Sequence, residues 1–302
     1  EHALGKVMGK FVEALYIVFF FFVISLNLRS MGNFLTGGML PEVPVILILS
    51  LMLLAGGFAV RKGLSVIGAV SFVVFAVSVF ILLLDLLLQF RQMHFSNFLP
   101  VLNGGIEHFP KGLLYSFTVP MGRSVSLLVL MGFVSDSEHL KKSVFWGILL
   151  GGGVLLLIIL RDTAVLGVLV DILLNTVFET VQLLDLVGLF TRGEVIFILQ
   201  YVFIAFVDIA VLFFALKTIV GRLFCIKDGK KDQFSVYLIG ISLLLGSYFI
   251  CSSNIRLRAI LEYTVPYLFL VFQIGIPLLL LLIGKIKCRA EKKRPKEKEI
   301  QV

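Results

Sequence analysis

The stretch LSVIGAVSFVVFAVSVFILLLDLLL, residues 64–88, decides the class of fold. Its only charged residue is Asp85, and it contains no proline. An apolar run of this length is enough for the roughly 20 helical residues that cross a hydrocarbon core about 30 Å thick. We expect a helix because backbone groups in lipid must find their hydrogen bonds within the segment. Residues 64–88 therefore predict a transmembrane helix.

The composition extends this prediction to the whole chain. The 302 residues are 59% hydrophobic and 15% charged, whereas a soluble globular chain is about half apolar and about a quarter charged. A chain with so few charges cannot bury its apolar groups in one core that faces water on all sides. We therefore exclude a soluble globular protein and predict an all-α integral membrane protein.

Apolar runs of spanning length recur along the sequence, with polar or Gly/Pro-marked breaks between them. We expect eight transmembrane helices within a membrane domain that covers residues 1–284, followed by a basic tail at 285–302. The runs lie at about 12–31, 43–60, 64–88, 113–134, 143–160, 195–216, 234–253 and 264–284.

The basic residues predict the orientation, because cytoplasmic loops retain an excess of Lys and Arg. Most of the 27 Lys and Arg lie in alternate connections, at Lys6 and Lys10, Arg61 and Lys62, Lys141 and Lys142, the 217–231 cluster and the tail. The other connections hold fewer: Arg29, Arg91, Lys111, Arg161, Arg192, Arg256 and Arg258. Both termini are therefore predicted to be cytoplasmic.

Residues 164–190 are apolar enough to suggest a ninth span, but they carry Asp171, Glu179 and Asp185. A ninth crossing would place both the 217–231 cluster and the basic tail outside. We therefore predict an amphipathic segment at the outer surface. The tail is expected to be solvated near the lipid bilayer.

Few other residues suggest chemistry. Asp85 lies near the outer end of its run, so we expect it to reach the interface and regard it as a poor proton relay. The cysteines are scattered and the histidines lack paired ligand spacing, so we predict no metal site and no cofactor. No nucleophile lies within one turn of a base in any span, which disfavours an enzyme. We also expect no nucleic-acid partner.

Three segments together resemble the B-subunit family of spore germinant receptors. They are RKGLSVIGAVS (61–71), NFLPVLNGGIEHFPKG (97–112) and YSFTVPMGRSV (115–125). This family is a branch of the amino acid–polyamine–organocation transporter superfamily. The resemblance implies a ten-span, five-plus-five inverted-repeat fold in which the eight runs correspond to spans three to ten. On this mapping, the resemblance implies that the first two spans are absent.

The resemblance also implies a function. It predicts a non-enzymatic membrane subunit in the inner membrane of the spore of a sporulating bacterium. This subunit would bind a small germinant, an amino acid, and signal to A-type and C-type receptor subunits. One alternative is a secondary amino acid transporter coupled to H⁺ or Na⁺, which the same fold supports. A third is an inert remnant or a purely structural partner.

The span at 113–134 contains the candidate binding residues. Pro120 removes a helix hydrogen bond and Gly122 permits bent backbone, so we expect a break. A break exposes carbonyls near 116–118 and N–H groups near 122–124, which suit the ammonium and the carboxylate of an amino acid. Thr118, Val119 and Met121 would then distinguish one amino acid from another. From the residues alone, a simple proline kink explains the pattern equally well. The resemblance favours a site, because its sixth span is a broken helix.

Arg123 follows the break, and a charge in mid-membrane should be paired and face the interior. Its proposed partner is Asp208, whose depth in its own span differs by only about 4–5 Å at 1.5 Å per residue. The alternative is a salt bridge that only holds helices together. The resemblance departs at Arg123, where many relatives carry an acidic residue. Their ligand chemistry therefore does not transfer to this chain.

Overall fold

A computed structural model of the chain describes residues 5–38, 40–99, 109–134, 137–171, 173, 176–177, 179–181, 194–226, 229–251 and 254–292. Within these ranges all regular secondary structure is helical and no strand occurs. The predicted all-α class is therefore confirmed for the described part of the chain.

The described residues include eleven α-helices with defined bounds, α1 to α11 in chain order. They are α1 Lys6–Gly38, α2 Val45–Lys62, α3 Leu64–Gln89, α4 Phe109–Met121, α5 Val125–Leu130, α6 Ser137–Leu166, α7 Glu194–Leu223, α8 Lys230–Ile250, α9 Asn254–Ala259, α10 Val265–Leu270 and α11 Ile276–Lys292. Short 3-10 turns lie at Phe90–Gln92, Phe95–Phe98, Gly122–Ser124, Met131–Phe133 and Gly167–Asp171. Two π-helical turns, Ile260–Thr264 and Val271–Gly275, join α9, α10 and α11.

The predicted membrane helices are confirmed. Among the described residues, seven helical stretches are long and apolar enough to cross a membrane, and a bent pair, Gly112–Val119 with Gly122–Phe133, makes an eighth. Each of the eight predicted runs overlaps one of them. On α3 the side chains of Phe72, Phe80 and Leu87 are strongly exposed, as expected for residues that face lipid.

Several helices extend beyond the apolar runs. Hydropathy identifies the residues that lie in the hydrocarbon core, whereas a helix ends at its last hydrogen-bonded turn. The final helix continues to Lys292, into residues assigned to the tail. Helix α6 continues to Leu166, so the segment predicted at 164–190 begins inside a helix. About half of that segment, including Asp185, lies outside the described residues, and its amphipathic surface location stays a prediction. The orientation of the termini also stays a prediction.

The chain divides into two compact units. The first comprises Glu1–Gly57, Lys111–Val129 and Leu212–Val302. Within it α1 packs along α8. Gly246 of α8 allows this close approach, since a Cβ atom there would lie 2.6 Å from Cζ of Phe21. The most deeply buried apolar side chains of this unit include Phe20, Ile24, Leu49, Phe213 and Leu243.

The second unit comprises Phe58–Pro110 and Leu130–Val211. Within it α3 contacts α6, and the 3-10 turn Phe95–Phe98 packs against the end of α6. The carbonyl oxygen of Ala164 accepts hydrogen bonds from the backbone N–H of His94 and the side-chain amide of Asn97, both at 2.9 Å. Gly167 has φ +56° and faces Asn97, so a glycine suits this turn on both conformational and steric grounds.

Candidate functional site

The break predicted from Pro120 and Gly122 lies between α4 and α5. Helix α4 ends at Met121, the 3-10 turn Gly122–Ser124 follows, and α5 begins at Val125. The two arms of the span are bent by 40°. The chain remains helical through the bend, because the 3-10 turn replaces one α-helical turn with tighter hydrogen bonding.

Gly122 sits directly against the last span. A Cβ atom at this position would lie 1.9 Å from Cδ2 and 2.3 Å from Cγ of Phe269. Phe269 is buried on α10. Because Cγ is the root of the ring, Phe269 cannot avoid such a clash by a small movement of the ring tip. Glycine is therefore required where the bend contacts α10.

Phe269 belongs to an aromatic cluster in the first unit, formed by Tyr16, Phe19, Phe20, Phe269 and Phe272. Phe19 stacks on Phe272 with ring centroids 4.4 Å apart and meets Phe269 edge-on at 5.6 Å. The hydroxyl of Tyr16 donates to the carbonyl oxygen of Phe272 at 3.0 Å. That carbonyl belongs to the π-helical turn Val271–Gly275, a type of irregularity that is frequent at functional sites.

The residues predicted at the break occupy different environments. Thr118 is fully buried, and its hydroxyl donates to the carbonyl oxygen of Leu114 at 2.7 Å, within its own helix. Val119 is half-buried. Pro120 and Met121 form the last turn of α4, and their side chains lie outside the described part. Gly122 faces Phe269 rather than open space.

Arg123 and Asp208 belong to different units of the chain. Arg123 is exposed and lies in the first unit, whereas Asp208 is half-buried in the second. Their predicted pairing therefore stays a prediction. The bend has a polar contact that the sequence did not reveal: the hydroxyl of the buried Ser126 donates to the carbonyl oxygen of Arg123 at 2.9 Å.

A cavity of about 280 Å³ lies in the first unit against the second arm of the bent span. Its described lining residues come from α1, α5, α7 and α11: Val12, Glu13, Tyr16, Val125, Leu128, Val129, Ile219, Arg222, Pro277 and Leu280. None of the seven residues predicted from the sequence is among them. Val125, which lines the cavity, directly follows the 3-10 turn that contains Arg123.

Two opposite charges, Glu13 and Arg222, stand on the walls of this cavity, and most of its other described lining is apolar. Such a lining suits a small ligand with one cationic group, one anionic group and an apolar body. Neither residue was predicted from the sequence. Glu13 interrupts an apolar run near its start, which could have marked it. Arg222 was hidden because it lies in the basic 217–231 cluster, whose charges were explained by topology.

The second unit contains an ion cluster formed by Asp85, Arg161 and Asp162. Arg161 Nη1 donates to Asp85 Oδ2, and Arg161 Nε and Nη2 donate to Asp162 Oδ1 at 2.9 and 2.6 Å. The Thr176 hydroxyl donates to Asp162 Oδ2 at 2.8 Å, and Gln89 Nε2 donates to Asp85 Oδ1. The three charged side chains are 0%, 1% and 7% exposed for Asp85, Arg161 and Asp162.

The expectation that Asp85 reaches the interface was wrong, and Arg161 is not a loop residue. Helix α6 continues past the apolar run to Leu166, which places Arg161 and Asp162 inside a helix. Asp85 lies one turn before Gln89 on α3, and both are fully buried. The sequence indicated the contact between Asp85 and Gln89, since residues spaced i,i+4 can interact on one helix face.

Comparison with known proteins decides the family. Residues 1–255 match the family described as "Spore germination protein". The chain belongs to this family. It is similar to Spore germination protein KB of Bacillus subtilis (strain 168), with 25% identity over 305 residues that cover 99% of this chain and 80% of the relative. It is also similar to Spore germination protein YndE of the same organism, with 24% identity over 300 residues that cover 97% and 79%.

No solved structure matches the chain significantly. Family membership confirms the resemblance seen in the three sequence segments, and together with the spanning helices it makes the chain an integral membrane protein of spore germination. The five-plus-five inverted repeat and the transporter superfamily remain expectations.

Proposed function

We propose that this protein is the membrane subunit of a spore germinant receptor in the inner spore membrane. It binds a small germinant, an amino acid, and signals to A-type and C-type partner subunits. The observation that carries this proposal is the cavity of about 280 Å³ against α5, with Glu13 and Arg222 on its walls. The cavity is slightly smaller than the range of about 300–1,000 Å³ typical of drug-sized ligands, which favours a small metabolite.

The chemistry of the lining fits a zwitterion. The carboxylate of Glu13 can accept hydrogen bonds from an ammonium group, and the guanidinium of Arg222 can hold a carboxylate through two parallel N–H donors. Val125, Leu128 and Leu280 provide apolar wall for the side chain of the ligand. An amino acid with an apolar side chain satisfies all three parts of the lining.

Signalling can start at the same place, because α5 is both a wall of the cavity and the second arm of the bent span. Gly122 seats the bend against Phe269 of α10. A ligand that binds better at one bend angle than at another shifts the population toward that angle. The altered bend then acts on Phe269 and the aromatic cluster, which connects α1 to the last span.

Charge-neutralising variants of the cavity test the proposal. Arg222→Gln and Glu13→Gln, introduced into the full-length gene at its own locus, should each shift the amino acid concentration that triggers germination upward. Loss of a charge-assisted hydrogen bond costs about 1.5–3 kcal/mol, which is about a 10- to 150-fold shift. The measurement is the dose–response of germination at matched protein levels.

Lys217→Gln is the matched control for Arg222→Gln. Lys217 lies on the same helix and carries the same charge, but it pairs with Asp232 at 2.7 Å and does not line the cavity. Its dose–response should stay close to that of the wild type. An unchanged dose–response in both cavity variants would place the ligand elsewhere.

Selectivity distinguishes the cavity from the break. Val125→Leu and Leu128→Phe reduce the space in the cavity, so they should disfavour larger amino acids more than smaller ones. The sequence predicts the same effect for changes at Thr118, Val119 and Met121. A panel of germinants of increasing size, applied to both sets of variants, identifies the site. A profile that changes only with the break residues would move the ligand from the cavity to the break.

We also propose that Arg123 and Asp208 form one electrostatic unit that supports the site. Arg123→Gln alone should be harmful, and the double variant with Asp208→Asn should be milder, because each single change leaves the other charge uncompensated. A double-mutant cycle on folded yield and on the germination response measures the coupling. Strictly additive losses would show that the two residues do not interact.

Amino acid transport is a second candidate function. Val12 and Glu13 at the start of α1, and Ile219 and Arg222 at the end of α7, place the cavity toward the end that the Lys and Arg pattern assigns to the cytoplasm. A cavity near that end is expected of an inward-open transporter. Saturable uptake of labelled amino acid by the full-length protein in proteoliposomes would support transport. If the full-length protein supports germination of spores but shows no uptake in proteoliposomes, sensing alone is supported.

A further inference from the structure

Among the described residues, the ion cluster of the second unit contains two carboxylates and one guanidinium. Arg161 and Asp162 are the charged groups that act on Asp85. On the neighbouring turns, Arg91 and His94 carry exposed side chains, and Glu179 is half-buried near Thr176. Two carboxylates therefore share one guanidinium in a site that is almost completely buried. With both carboxylates ionised, the cluster carries an uncompensated buried charge of −1.

A buried charge without compensation is strongly unfavourable, so the site favours the binding of a cation. The two carboxylates are not held equally. Asp162 receives two guanidinium N–H groups and the Thr176 hydroxyl, whereas Asp85 receives one guanidinium N–H and the neutral amide of Gln89. The carboxylate of Asp85 is the less stabilised anion and is the one that gains more from neutralisation.

Gln89 supplies an acceptor for a proton. Its side chain is fully buried, its amide nitrogen is bonded to Asp85, and its Oε1 has no hydrogen-bond partner. Rotation of this amide by half a turn brings Oε1 to the Asp85 carboxyl, where it can accept an O–H. Protonation of Asp85 would therefore give this buried oxygen a donor, in exchange for the amide N–H bond that the ionised Asp85 accepts.

The arrangement suits a proton better than a metal ion. All four carboxylate oxygens of Asp85 and Asp162 already accept a hydrogen bond, so they do not form an open cage of oxygen ligands. Within the described residues, no group of three or more His, Cys, Asp or Glu is close enough to hold a metal. A proton needs only one lone pair and one acceptor.

We propose that Asp85, Arg161, Asp162 and Gln89 form a proton-binding site, separate from the germinant cavity, in which Asp85 takes the proton. The proton passes from water to a carboxylate oxygen of Asp85, and the net charge of the cluster changes from −1 to 0. Deprotonation strengthens the bond from Arg161 to Asp85, which joins α6 to α3, and protonation replaces it with a weaker neutral contact. The site thereby makes the packing of α3 against α6 depend on protonation.

Infrared difference spectroscopy tests this site directly. Purified protein in lipid nanodiscs, labelled with ¹³C at the aspartate carboxyl, is titrated from acidic to alkaline pH. The wild type should show the carbonyl band of a buried protonated aspartic acid at neutral pH. Asp85→Asn and Asp162→Asn should each abolish this band, because either change leaves one carboxylate matched with one guanidinium.

Asp232→Asn is the control, since Asp232 pairs with Lys217 at partly exposed positions outside the cluster. The band should persist in this variant. Asp85→Asn and Asp162→Asn both test the same bound proton. If one of these variants does not fold, the other still gives a result. A wild type without the band at any pH at which it is folded would overturn the proposal. So would a band that survives Asp162→Asn, or one that sodium ions displace at constant pH.

Discussion

The aromatic cluster of the first unit and the ion cluster of the second are both buried, and both join helices that are distant in the sequence. In the first, rings from α1 and the last span pack on one another, and Phe269 also contacts Gly122. Among the described residues, the polar contact of this cluster is the Tyr16 hydrogen bond. In the second, α3 and α6 meet through a guanidinium and two carboxylates. One region depends on shape and the other on charge balance.

This difference determines what a single substitution does in each region. In the aromatic cluster a change adds a steric clash or removes a neutral contact, and neighbouring rings can partly adjust. In the ion cluster the loss of Arg161 leaves two carboxylates buried without their guanidinium, and no small movement relieves that cost. The largest effects are therefore expected in the second unit.

Arg161→Gln should have the largest effect. It removes the only guanidinium described in the ion cluster and leaves Asp85 and Asp162 both buried. Removal of one partner from a buried ion pair costs about 3–5 kcal/mol. Thermal unfolding and folded yield of purified protein measure the loss, with Lys217→Gln as the matched control at a partly exposed pair. Equal losses in the two variants would show that burial of Arg161 contributes nothing.

Gly122→Ala should have the next largest effect, because its Cβ would overlap the ring of Phe269. Overpacking of a buried contact costs about 1–3 kcal/mol. Gly112→Ala is the control in the same span, since nothing lies within 4 Å of its Cβ position. The double variant with Phe269→Leu should recover part of the loss in unfolding temperature. No recovery would mean that the defect of Gly122→Ala arises from the backbone rather than from Phe269.

Gly246→Ala should destabilise the protein less than Gly122→Ala. Its Cβ would lie 2.6 Å from Cζ of Phe21, which is the tip of a ring and can move further than the ring root met at Gly122. We expect a loss near the lower end of the range of about 1–3 kcal/mol. The unfolding midpoints of the two variants, measured in the same detergent, give the order. A larger loss at Gly246 would reverse the ranking of the two contacts.

Tyr16→Phe should have the smallest effect. It keeps the ring in the aromatic cluster and removes only the hydrogen bond to the carbonyl of Phe272. A neutral hydrogen bond contributes about 0.5–1.5 kcal/mol. Both Tyr16→Phe and Arg161→Gln remove a side-chain contact between two helices. The difference in their unfolding temperatures therefore compares a neutral hydrogen bond with a buried ion pair. A loss as large as that of Arg161→Gln would show that the Tyr16 hydroxyl has a further role.

Residues 64–88 and the other apolar runs determined the membrane class and the eight spans without the tertiary structure. Spanning length and hydropathy are local properties, since each segment must satisfy its own backbone in lipid. The break at Pro120 and Gly122 was also predictable, because proline and glycine act on their own turn. The three quoted segments were specific enough, taken together, to indicate the family.

Only the tertiary structure decided which polar residues are buried and what each glycine contacts. Arg161 and Asp85 are 76 residues apart in the chain, and one was assigned to a loop and the other to the interface. Gly122 meets Phe269 and Glu13 shares a cavity with Arg222, although each pair is far apart in sequence. Hydropathy records how deep a residue lies along its own helix, but contact depends on which face that helix turns toward its neighbours. That choice is made by packing between helices, which no local stretch of the sequence contains.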